Sequence, residues 1–208
     1  MVRCLIFWII IFNFQTINVH AKFFKFNNLE EARNIYPSNP NKAHKLIDET
    51  IKHYLKKPNK DFPWLGWAYS DKAHFFDMEG NKKLALEYQT KSCEEQKKDF
   101  KKIKNNQKKR NLVQCYYFLS ILLKDNNFLE KSLSVSTKAI NIFNEFKNNN
   151  YDIDEFAGSK QFAYQLVHRA RVYKDLFKYE ESIKDYEQYI DIISIKNINE
   201  LASDDYLN

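Results

Sequence analysis

The chain has 208 residues, 44% hydrophobic and 16% aromatic, with a formal charge of +6. That apolar content excludes a disordered chain and suffices for one domain or one short repeat array. The mildly basic balance is far from the profile of a nucleic-acid-binding protein.

The first residues, "MVRCLIFWIIIFNFQTINVHA", combine a single Arg3, an uninterrupted apolar run from Cys4 to Phe12, and Val19 and Ala21 before a break. A positive start, a short apolar centre and small residues at a cleavage site are the pattern of a secretory signal peptide. The rival reading is a membrane anchor, but the apolar run is too short for a bilayer core, which needs about 20 residues in a helix. Cleavage after Ala21 leaves an exported chain, periplasmic or secreted, whose charge without Arg3 falls from +6 to +5. No later apolar stretch approaches membrane length, so no transmembrane segment is expected after cleavage. The absence of any Asn-x-Ser/Thr acceptor fits a bacterial periplasm better than a eukaryotic secretory route.

Residues 22–63 hold all four prolines, Pro37, Pro40, Pro58 and Pro63. Within them "NPNKAHKLIDETIKHYLKK" predicts a helix capped by Asn39, with Pro40 in its first turn and a stop at Pro58. Ala43 and Thr50 are seven apart on it. The preceding "NLEEARNIY" predicts a shorter helix, and no small residue lies twelve before Ala43, so this unit reads as a degenerate repeat or cap.

From residue 64 to 193 no proline interrupts long helices, and one spacing recurs three times. Ala73, Ala85 and Ser92 form one set; Ser120, Ser132 and Ala139 a second; Ala170, Ser182 and Tyr189 a third. Each first member has a bulky residue four before it (Tyr69, Tyr116, Leu166) and three after it (Phe76, Leu123, Tyr173). Small residues twelve apart across a turn let two antiparallel helices approach closely while bulky neighbours fill the grooves. Seven residues is two turns, so the third member shares a face with the second. The expected turns are "EGNKK", "KDNNF" and "DLFKY". In the third set Tyr189 stands where a small residue is expected, and Phe177 where Gly80 stands in the first, so this unit is expected to splay or to leave Tyr189 against a missing neighbour. The final residues, 194–208, read as a cap or the start of a next helix.

Cys93 and Cys115 flank a midpoint at residue 104, in the "KIKNNQKK" turn. They are read first as two small apolar core residues; the alternative is a disulfide across a helical hairpin. Neither has zinc-ligand spacing, so no metal site is expected. The segment "KKDFKKIKNNQKKR", 97–110, carries eight basic residues and one acidic. It reads as a solvated connection, since cations suit a helix C-terminus, with an anionic contact to lipid head groups or an acidic partner as the rival.

The twelve-and-seven spacing and the segment "YEESIKDYEQYI" resemble the tetratricopeptide repeat (TPR), over roughly residues 64–193. The period departs from that family: Ala85, Ser132 and Ser182 are 47 and 50 apart, where the family repeats at about 34. The resemblance implies an all-α fold, antiparallel helix pairs stacked as a short right-handed solenoid. It also implies that first helices line a concave groove for a peptide. Carried onto this chain, the groove residues are Ser70, His74 and Asp77, then Tyr117 and Lys124, then Tyr164, Arg171 and Lys174. Tyrosines beside Lys and Arg would suit an acidic or carboxylate-bearing peptide. No phosphate loop, paired histidines or nucleophile elbow is present, so no catalytic residue and no cofactor is assigned. His44, His53, His74 and His168 read as surface or groove residues. The function expected is a non-enzymatic exported module binding protein or peptide. The alternative is the truncated periplasmic sensor region of a signal-transduction regulator, of histidine kinase or DNA-binding type.

Overall fold

The computed structural model describes residues 28–56, 64–102, 106–147 and 155–195. Residues 1–21, read above as a signal peptide, and all of the 194–208 segment beyond residue 195 lie outside them. Every regular element among the described residues is a helix: α1 (28–35), α2 (Pro40–Leu55), α3 (Trp64–Met78), α4 (Lys82–Lys102), α5 (Asn106–Asp125), α6 (Leu129–Lys147), α7 (Glu155–Asp175) and α8 (Tyr179–Ile195). At the start of α2, Asn39 accepts a hydrogen bond from the Lys42 N–H at 3.0 Å and Pro40 fills the first turn, where its missing N–H costs nothing.

The most extensive contacts join α3 to α4, α5 to α6, and α7 to α8; successive pairs then meet through α4 and α5, α6 and α7, and α2 joins through α3. The molecule is an all-α, TPR-like array of antiparallel helix pairs. Its apolar side chains form one cluster per junction. Leu29, Ala32, Ile47 and Phe75 belong to the first. Leu119 and Leu123 join Cys93 and Cys115 in the second, and Ile140, Phe162 and Leu166 make the third.

The small residues sit where the helices cross. Ala73, Ala85, Ser92, Ser120, Ser132, Ala139, Ala170 and Ser182 are all buried, as are Ala43 and Thr50 on α2. The Ser132 hydroxyl donates to the Ser120 carbonyl at 2.7 Å, and the Ser182 hydroxyl to the Ala170 carbonyl at 2.8 Å. A side chain this short reaches the opposite backbone only when the helices are close, so the third crossing is as tight as the second at this point. Tyr189 does not face a gap: it packs half-buried against the cluster of Ile140, Phe162 and Leu166. The first pair closes differently. Ser92 donates to the Gly66 carbonyl at 2.7 Å, and a Cβ on Gly66 would stand 2.9 Å from Gln96 Cγ, so the glycine sets this approach.

The three turns share one backbone conformation. Gly80, Asn127 and Phe177 have φ of 74°, 64° and 60°. Their N–H groups donate to the carbonyls of Asp77, Lys124 and Lys174, and the next N–H in each case donates to Phe76, Leu123 or Tyr173. This is the double hydrogen bond of the Schellman ending, which satisfies carbonyls that a helix terminus leaves over. Ion pairs stitch the turns along one edge. Lys82 bridges Asp77 and Asp125, Lys124 meets Asp175 at 2.8 Å, and Lys178 meets Glu130 at 3.6 Å.

Candidate functional site

Small and polar residues recur along α3 at Ser70, Asp71, His74 and Asp77, a three-and-four spacing that sets one face of the helix. That face, Arg33 of α1 and one side of α5 enclose a cleft of about 460 Å³, floored by Gln89 and Gln96 of α4. Trp67 and Phe118 supply apolar walls, and Asn111 and Gln114 bring amides from α5.

The charges of the cleft are paired. Arg33 Nε donates to both Asp71 carboxylate oxygens at 3.0 Å. Burial pushes the Asp71 carboxyl above the usual range, with the Arg33 hydrogen bond and charge opposing the rise. Asp77 meets Lys82 at 2.8 Å. The amides are less evenly matched. Gln89 donates to the Cys115 carbonyl at 3.2 Å and receives the Ser70 hydroxyl at 3.4 Å. Gln96 donates to Ser92 at 3.3 Å, and its Oε1, shielded from solvent, has no hydrogen-bond partner among the described residues. Leaving such an acceptor unmatched costs about 1–3 kcal/mol.

Cys93 and Cys115 are bonded, with Cα atoms 5.6 Å apart, and the bond fixes α4 against α5 beside the cleft. The reading of two free apolar cysteines is therefore corrected. Both side chains are buried as that reading expects, but the α4–α5 hairpin aligns them face to face.

Of the eight groove residues expected, Ser70, His74 and Asp77 line the cleft. Tyr117, Lys124, Tyr164 and Arg171 gather instead where α5 meets α7. There burial raises the Tyr117 hydroxyl pKa, with Arg171 lowering it and Tyr164 raising it. Lys124 is held by Asp175, and Lys174 is exposed in the last turn of α7. The helix α5 thus separates two clusters, because residues one apart on it point about 100° away from each other. His168 is not a surface or groove residue: it is buried, with Nε2 3.3 Å from the Ser132 hydroxyl and its ring edge-on to Tyr117. Burial drives its pKa down to about 4. The segment 97–110 spans the end of α4 and the start of α5, where Lys98 pairs with Glu95 at 2.7 Å. Sequence reasoning missed Trp67, Asp71, Gln96 and the α5 amides. The stripe Trp67, Ser70, Asp71, His74 was available as a signal on α3; the pairing of that stripe with α5 was not.

Among the described residues no group of three His, Cys, Asp or Glu side chains could hold a metal, and no helix is long and apolar enough to cross a membrane. No family model matches the chain, and no curated protein matches it. Solved structures do. The chain is similar to BtubC (BKLC) from P. vanneervenii, at 14% identity over 84% of this chain and 90% of that one, with a TM-score of 0.42. It is also similar to the nearly identical TPR-like repeats of a kinesin light chain from Podosopora anserina, at 12% identity over 83% and 96% of the two chains, with a TM-score of 0.38.

Proposed function

We propose that this chain is a non-enzymatic, exported binding module that holds an extended segment of a protein or peptide in the cleft between α1, α3 and α5. The carrying observation is a cleft furnished with the side-chain amides of Gln89, Gln96, Asn111 and Gln114 between two aromatic walls. An extended peptide offers alternating N–H and C=O groups, and amide side chains can meet either. Because Arg33, Asp71 and Asp77 are already paired, main-chain groups rather than charge dominate recognition in this cleft; any preference for a carboxylate rests with Arg171 and Lys174 on α7. Export rests on residues 1–21 and is supported by the buried disulfide, since such bonds persist in oxidising compartments. The basic segment 97–110 is a candidate second contact for an anionic surface.

Peptides selected by display against the full chain test this reading. They should bind the unaltered protein and lose about tenfold in affinity with Gln114→Met, which removes an exposed cleft amide at nearly constant volume; tenfold is about 1.4 kcal/mol, within the range for one hydrogen bond. Selected peptides that bind equally well to Gln114→Met and Trp67→Ala would place recognition elsewhere and sink the proposal.

A further inference from the structure

The repeat assigns to each second helix a face that the next first helix covers. On α4 that face holds Leu86, Gln89 and Cys93, and it lies against α5: Leu86 packs on the cluster of Cys115 and Leu119, and Gln89 bonds the Cys115 carbonyl. The equivalent residues of α6, counted from Ser132 as the first are from Ala85, are Leu133, Ser136 and Ile140. Ser136 and Ile140 are buried, and Ile140 packs on Phe162 and Leu166 of α7. Counted from Ser182, the same positions on α8 are Ile183, Tyr186 and Ile190, with Tyr179 one turn earlier. Here Tyr179, Ile183 and Ile190 are 56%, 56% and 55% exposed, and Tyr186 between them is half-buried. Positions 179, 183, 186 and 190 form one stripe along three turns of helix, and no described helix covers it.

The flank of this stripe selects its occupant. Glu180 and Glu187, two turns apart, stand exposed along one side of it, with the exposed Lys184 between them on the far edge of that flank. The corresponding positions on α4 are Lys83 and Thr90, and on α6 Glu130 and Thr137, so the doubled acidic flank belongs to α8 alone. The chain's own residues 196–208 carry Glu200, Asp204 and Asp205 against a single Lys196, and a second copy would bring the same two glutamates. Both set like charges against α8. A helix with an apolar stripe bordered by Lys or Arg complements it.

We infer that the face formed by Tyr179, Ile183, Tyr186 and Ile190 docks an amphipathic, basic-flanked helix of a partner protein, seated as the first helix of a further pair would be. This surface is separate from the cleft and does not depend on the reading given to it. Recognition is helix against helix, anchored by residues spaced at three and four.

The test uses the full chain and two synthetic 18-residue amphipathic peptides sharing one leucine stripe, one flanked by lysines and one by glutamates, titrated by fluorescence anisotropy. The lysine-flanked peptide should bind at least tenfold more tightly. Ile190→Glu should abolish that binding without changing the helical circular dichroism, since the residue is exposed. Glu180→Lys with Glu187→Lys should reverse the preference between the peptides, whereas Trp67→Ala in the cleft should leave it unaltered. Three outcomes overturn the inference. Equal binding of both peptides removes the charge argument. Binding that appears only after deletion of residues 196–208 makes the chain's own terminus the occupant. Concentration-dependent dimerisation abolished by Ile190→Glu makes it a second copy.

Discussion

At the scale of single residues, the three turns run one natural comparison. Gly80, Asn127 and Phe177 hold the same left-handed conformation with the same pair of hydrogen bonds. Glycine adopts it freely and asparagine tolerates it, but a bulky side chain there costs about 1–2 kcal/mol through Cβ crowding. Phe177 offsets little of this by packing, being 78% exposed, with its ring edge-on to that of Tyr179. Phe177→Gly should therefore stabilise the chain by about 1 kcal/mol, less the greater freedom that glycine has in the unfolded chain. An upward shift in the urea midpoint with unchanged slope is the expected reading; a downward shift would mean that the Phe177 ring contributes contacts its exposure does not reveal. That this position was anomalous was legible in the sequence, since a phenylalanine stands where the first unit has glycine.

At the scale of helices, the crossings were legible and their partnerships were not. Small residues at twelve and seven mark a close approach because only they permit one, and Ser132 and Ser182 show how directly, by bonding the facing backbone. Spacing alone leaves Tyr189 splaying its unit or facing a missing neighbour, because it records a residue's place on its own helix and says nothing of the neighbouring pair, where Phe162 and Ile140 receive it. The cysteines posed the same problem. Their sequence separation of 22 suits a hairpin, but only the packing of α4 on α5 brings them together. Closing a loop of that length stabilises by about 3 kcal/mol through the unfolded chain. Reductant should lower the unfolding free energy by about that amount, and a Cys93→Ala, Cys115→Ala double variant should not respond to reductant at all. Identical urea curves with and without reductant would show that the bond does not form.

At the scale of the molecule, the array can be followed in sequence because each pair repeats the same local solution, while the cleft assembles from α1, α3, α4 and α5, whose mutual placement no single segment encodes. Such an array couples mainly through nearest neighbours, so a perturbation at one junction should stay near it. His168 offers that perturbation. It stands on α7 against Ser132 of α6 and Tyr117 of α5, near Lys124, Asp125 and Arg171, and burial holds it neutral with a pKa of about 4 against an ordinary 6.5. Its folded pKa is lowered, so between pH 6.5 and about 4 the unfolded chain binds the proton and the folded chain does not. Stability from this group is complete above pH 6.5 and falls as pH falls toward 4, by up to about 3 kcal/mol. The loss should be local. Hydrogen exchange at pH 4.5, corrected for the intrinsic rate and compared with pH 7, should show protection lost more in α5 to α8 than in α2 to α4. His168→Asn should remove the difference between the two halves, because an amide keeps a polar group beside Ser132 without taking up a proton. Uniform loss along all the helices would show that the array unfolds as one unit, and that the repeat visible in the sequence has no counterpart in its energetics.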